Sequence, residues 1–191
     1  MKFIKDPTEK TTAVTDIILA FIAFGSIGYL RWPPMNSGEV WKINIWSAAI
    51  GLIGLAAALG AMAHGMVLSR IFHRRIWWVL NMALSLAVSL FVVGVVYDLW
   101  GFEVSLATLP LMLIAGLGFY LTTLIYPGIF FLFIVYEAGA LAFALGAYIF
   151  LTIYKDLPGA RWMAIGILVS IIAAGIQAHK SVVLTFIWRF D

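Results

Sequence analysis

The chain has 191 residues, 64% hydrophobic and only 11% charged, with a formal net charge of +3 and no cysteine. Soluble domains carry about 25% charged residues, so this composition requires lipid as the solvent for most of the chain. The missing cysteine excludes disulfides, thiolate catalysis and cysteine-based metal or cluster sites, and the small charge sits in loops, where it signals topology rather than a nucleic-acid surface.

Residues 1–10 (MKFIKDPTEK) form a short polar arm. A first span covers about 13–30 and stops at Arg31 and the Pro33-Pro34 pair. No A-x-A cleavage signal follows it, which makes it a retained anchor. Trp32 and Trp41 edge the next loop as an aromatic belt would. A second span covers about 45–68, and a tight basic loop (Arg70, His73, Arg74, Arg75) leads to a third at about 76–97. Residues 98–103 (DLWGFE) form an acidic turn, followed by a fourth span at about 104–125, a break at Tyr126-Pro127-Gly128, and a fifth at about 129–154. The loop KDLPGAR precedes a sixth span at about 162–178, and the apolar tail 181–191 is interfacial or the first half of a seventh. Each span has the roughly 20 apolar residues that a helix needs to cross about 30 Å of hydrocarbon, and none alternates as a barrel strand does. The expectation is one all-α domain over 1–191, a polytopic membrane helix bundle with about six transmembrane helices.

Lys and Arg set the orientation. Eight fall in segments on the N-terminal side (Lys2, Lys5, Lys10, Arg70, Arg74, Arg75, Lys180, Arg189) and four on the other (Arg31, Lys42, Lys155, Arg161), which predicts a cytoplasmic N-terminus in a bacterial-type inner membrane.

Ionisable groups inside spans are costly, so each is a functional candidate. They are Asp16 in span one, His64 late in span two, Glu137 in span five and His179 at the end of span six, with Asn81 and Gln177 as neutral polar companions. With the N-terminus inside, all fall in the cytoplasmic half, which predicts one cytoplasm-facing polar cluster rather than a transmembrane pathway. Asp16 also fits a plain interfacial residue at a helix start, His64 a hydrogen bond to a neighbouring helix, His179 an interfacial place beside Lys180, and His73 a solvated loop. Glu137 is hardest to explain structurally, because a carboxylate so far into a span needs a partner or a proton.

Each span histidine has glycine four residues earlier, Gly60 before His64 and Gly175 before His179. On a helix the i−4 position lies beneath i, so the glycine clears space for a flat cofactor such as haem or chlorophyll, or for close helix packing. Ala138, Ala142 and Gly146 repeat the small-residue spacing without a histidine, which favours packing. No phosphate loop, nucleophile elbow or H-E-x-x-H is present, and Ser69 and Ser85 have no context for a Ser-His-Asp triad.

A histidine near the cytoplasmic end of span two, in an N-inside protein, resembles the alkaline ceramidase and progestin/adiponectin receptor superfamily. That resemblance implies a seven-span zinc hydrolase in which His64 is the span-two ligand and a seventh span begins near TFIWRFD. Here Gly60 stands where the family has serine, span three offers Asn81 and no aspartate, and no H-x-x-x-H occurs in the 191 residues. Hydrolytic zinc takes about three protein ligands, so His64, Glu137 and His179 are the metal candidates, with Asp16 as a substitute, while His64 and His179 are the candidate axial ligands of a tetrapyrrole.

The expected function is an integral subunit that packs against partner membrane proteins in a larger complex, in contact with the bilayer and not with nucleic acid. The alternatives are a zinc-dependent hydrolase of lipid amides or esters and a haem- or chlorophyll-binding protein. Transport ranks below these, because no broken helix pair is visible.

Overall fold

The computed structural model describes residues 3–32, 39–126 and 130–178. Six helices run in chain order: α1 (Pro7–Arg31), α2 (Val40–Gly65), α3 (Arg70–Trp100), α4 (Phe102–Ile125), α5 (Phe130–Tyr154) and α6 (Ala160–Ala178). Five are long and apolar enough to cross a membrane; the apolar part of α6, Ala160–Ile176, is shorter. The molecule is an all-α membrane helix bundle.

The helix starts lie earlier than hydropathy alone indicates. α1 begins inside the expected polar arm, because Asp6 caps it, accepting from the backbone N–H of Thr8 at 2.8 Å and of Glu9 at 3.3 Å, with Pro7 in the first turn. Likewise the basic loop is the first turns of α3, capped by Ser69, whose Oγ accepts from the Phe72 N–H at 3.3 Å. His73 is therefore a helical residue, and its Nε2 accepts from Trp77 Nε1 at 3.2 Å. The acidic turn reduces to Gly101, whose φ of 86° suits a residue without Cβ; Asp98 lies in the last turn of α3 and Glu103 in the first turn of α4.

α3 is the axis of the fold. It has the largest buried share of the five spanning helices and touches α2, α4 and α5, while α1 packs on α2 and α6 on α5. Without a hydrophobic force between helices in lipid, close approach comes from small residues. Ala13, Ala20 and Ala23 bury one stripe of α1, and Ala49, Gly54, Ala56, Ala57, Gly60 and Ala63 a stripe of α2. Gly94 on α3 lies under the indole of Trp46, which would stand 2.8 Å from an added Cβ. A further core joins Val95 to Ala144, Tyr148 and Leu151 of α5 and to Ala160 and Ile167 of α6. Ser85, Ser89 and Ser105 are fully buried, and among the described residues no buried side-chain polar atom lacks a hydrogen-bond partner.

Candidate functional site

Polar chemistry gathers in three places. The first is the end of the bundle that carries the N-terminus. Residues preceding α1 lie against the exit of α2: Phe3 pairs with Met66, and the Ile4 N–H donates to the Gly65 carbonyl at 3.1 Å. That bond satisfies one of the orphan carbonyls at the α2 C-terminus. Just inside, His64 Nδ1 meets Glu9 Oε2 at 2.7 Å, a salt bridge when the imidazole is protonated and a hydrogen bond otherwise. The imidazole ring also stands edge-on to Trp77, centroid to centroid 5.7 Å.

Gly60 does clear space, but for Asp16. A Cβ at Gly60 would stand 2.6 Å from Asp16 Oδ2, so the carboxylate of α1 fills the gap one turn below His64. The α2 glycine is thus a helix-crossing position and its clearance is occupied by a side chain of this chain.

The opposite end holds a polar knot. Lys42 Nζ lies 2.7 Å from Asp98 Oδ1, and the Tyr148 hydroxyl donates to Asp98 Oδ2 at 2.8 Å. One carboxylate thereby joins α2, α3 and α5. Beside it Trp41 Nε1 donates to Ser105 Oγ at 2.9 Å, tying α2 to α4, and Arg31 donates to Ser47 and Asn44, tying α1 to α2.

The third place is the middle of the bundle. Tyr136 shares a hydrogen bond with Ser89 at 2.9 Å, which sets the depth of α5 on α3. The next residue, Glu137, borders a cavity of about 350 Å³ between α3, α5 and α6, with Leu84, Val88, Trp162 and Ser170 among its walls. On α3 those walls lie about ten residues, or roughly 15 Å, beyond the Trp77 that touches His64.

The expected single cluster is therefore divided. Asp16 and His64 share one end, Glu137 stands in the middle, and Asn81 is half-buried on α3 between them. Among the described residues no three His, Asp or Glu groups converge on a metal position. His179 and the tail 181–191 lie outside the described residues, as does the Gln177 side chain. Glu9, Asp98, Lys42 and Tyr148 were not anticipated. Glu9 had a signal: Asp6-Pro7-Thr8-Glu9 has the form of a helix-capping box, which puts Glu9 on the first turn. The Asp98 partners had none, because Tyr148 lies 50 positions away.

The model of a family of unknown function, DUF6962, matches residues 11–191. The chain belongs to that family. No curated protein and no solved structure matches it. The matched region contains Asp16, Gly60, His64 and Glu137 but excludes Glu9.

The contact of Glu9 with His64 makes a local prediction. His64→Ala removes a partly exposed pair, a loss of about 0.5–1 kcal/mol. Amide exchange at Ile4 should rise roughly two- to fivefold, since that amide is held on the same helix end, while exchange in the middle of α3 stays unchanged. Mass-spectrometric hydrogen exchange on the solubilised protein reads both segments at once.

Proposed function

We propose that the chain is an integral membrane subunit that packs against partner helices in a larger membrane complex, with its N-terminus and the basic residues of α3 on the cytoplasmic side of an inner-membrane-type bilayer. The observation that carries this reading is the outward face of α5. Ala138, Gly139, Ala142 and Gly146 are exposed there, and nothing lies within 4 Å of a Cβ added to Gly139 or Gly146. At Gly54, Gly60 and Gly94 the fold uses glycine for close helix crossings, and on α5 Gly139 and Gly146 stand in one strip with Ala138 and Ala142 that no described helix of this chain covers. A small-residue face turned to lipid forfeits packing that a partner helix would supply. The flanking side chains Phe143 and Phe150 are exposed and border the same strip, as ridges beside a groove.

The sidedness rests on Arg70, Arg74 and Arg75 in the first turns of α3, with Arg74 stacked over Trp78 at 5.4 Å as an interfacial pair. The metal-hydrolase and pigment readings draw less support. His64 Nδ1 is engaged by Glu9, and the space over Gly60 is taken by Asp16.

Gly146→Leu tests the proposal. The position has room for the side chain, so the isolated subunit should keep its helicity and thermal stability. Membranes of the source cell, solubilised gently and run on a native gel, should show the wild-type chain in a larger assembly with a defined set of partners, and the variant shifted to lower mass. Wild-type chain migrating as a monomer, or an assembly untouched by Gly146→Leu and Ala142→Leu, would overturn it. A homo-oligomer would identify the partner as a second copy.

A further inference from the structure

Glu137 is chemically out of place. Glu9 is paired with His64 and Asp98 with Lys42 and Tyr148, while Asp16 fills the gap over Gly60 one turn below His64. Among the described residues Glu137 has neither an ion pair nor a hydrogen bond, and its side chain is exposed toward the cavity it borders.

The cavity has the dimensions of a small-molecule site, about 350 Å³, within the range that holds drug-sized ligands. Its walls are apolar apart from Glu137, Ser170 and the indole N–H of Trp162, and the Ser170 hydroxyl is spent on the Gly166 carbonyl of its own helix at 3.0 Å. No cationic side chain belongs to the lining, so nothing there answers the charge of the carboxylate. Two aromatic rings, Phe91 and Trp162, belong to the lining and can face a positive charge. Gly166 leaves one wall open, with nothing within 4 Å of an added Cβ.

A carboxylate is a poor choice for lining an apolar cavity at mid-depth unless something positive meets it there. A divalent metal does not fit, since no set of three ligands assembles among the described residues. A neutral lipid would gain nothing from the charge. We infer that the cavity between α3, α5 and α6 binds a lipophilic organic cation, with one positive charge held against Glu137 and an apolar body against Leu84, Val88 and Trp162. The ligand class is a membrane-soluble ammonium or phosphonium-like monocation, reaching the cavity from the bilayer. This reading is independent of whether the chain has protein partners.

The probe is tetraphenylphosphonium, measured by equilibrium binding to the full chain in nanodiscs of zwitterionic phosphatidylcholine. Saturable uptake of one probe per chain is expected, above the partition into empty nanodiscs. Glu137→Gln should weaken binding by about tenfold or more, an effect equal to one lost charge contact. Gly166→Leu should abolish binding by filling the cavity, and because its side chain enters open space the variant reports even where Glu137→Gln fails to fold. Neutral triphenylphosphine oxide should not compete. Unsaturable uptake equal to that of empty nanodiscs, undiminished binding in Glu137→Gln, unchanged binding in Gly166→Leu, or equal competition by the neutral compound would each overturn the assignment.

Discussion

Asp98→Ala is expected to destabilise the bundle by about 2–4 kcal/mol, the cost of removing an ionised acceptor from a nearly buried knot. The Asp98 side chain is 7% exposed, and Tyr148 beneath it is 1% exposed. Without the carboxylate the Tyr148 hydroxyl is left buried with no acceptor, and that is the larger part of the loss. Lys42 contributes less, because at 37% exposure it regains water when released. Asp98→Asn keeps one acceptor oxygen for Tyr148 but gives up the charge and puts an NH2 donor where Lys42 had an acceptor, so it should cost about 1–2 kcal/mol, less than Asp98→Ala. Tyr148→Phe should cost about 1–2 kcal/mol. The double variant Asp98→Ala/Tyr148→Phe should lose less than the sum of the single losses, since both delete one interaction. Reversible unfolding in mixed detergent, followed by tryptophan fluorescence, measures all four. Equal stability of Asp98→Ala and wild type would show that the knot does not hold α2, α3 and α5 together.

Gly116→Ala should have a comparable effect for the opposite reason, excess volume. Gly116 is one of the few buried residues of α4. A Cβ there would collide with the hydroxyl of Ser89 and stand 3.0 Å from the backbone carbonyl of Ser85. Neither can yield easily. The carbonyl belongs to the α3 backbone, and the Ser89 hydroxyl is held by Tyr136 and by the same Ser85 carbonyl. Overpacking of this kind costs about 1–3 kcal/mol, and a larger side chain should cost more by lifting α4 off α3. Because Ser89 also sets the depth of Tyr136, Gly116→Ala should disturb α5 as well. Thermal unfolding gives the stability loss, and hydrogen exchange in α5 shows its spread; Gly118→Ala, where a Cβ meets nothing within 4 Å, is the control expected to change neither.

The membrane class and most of the spans were legible because they are local properties. About 20 apolar residues in a row must be helical in hydrocarbon, whatever they pack against. The ends were less legible, because hydropathy reports lipid contact and a capped helix continues into water. Asp6 and Ser69 extend α1 and α3 past the apolar runs by accepting backbone N–H groups. The candidate residues were legible one at a time and not as a site. Asp16, His64 and Glu137 stand out in sequence as polar groups in apolar company, yet only the packing shows that the first two share an end and the third borders a separate cavity.

Gly60 marks the division most clearly. Its spacing from His64 follows from helical periodicity and needs no tertiary information. What fills its clearance does not, because the answer comes from Asp16 on another helix, placed by how α1 rotates against α2. The same holds for Glu9 and His64, 55 positions apart, and for Tyr148 and Asp98. Composition and apolar periodicity alone determined that this chain is a helical membrane protein with costly polar groups at known positions. Helix rotation and depth, which depend on small-residue contacts summed over the whole bundle, decided which of those groups are paired and left Glu137 facing an apolar cavity without a counter-charge among the described residues.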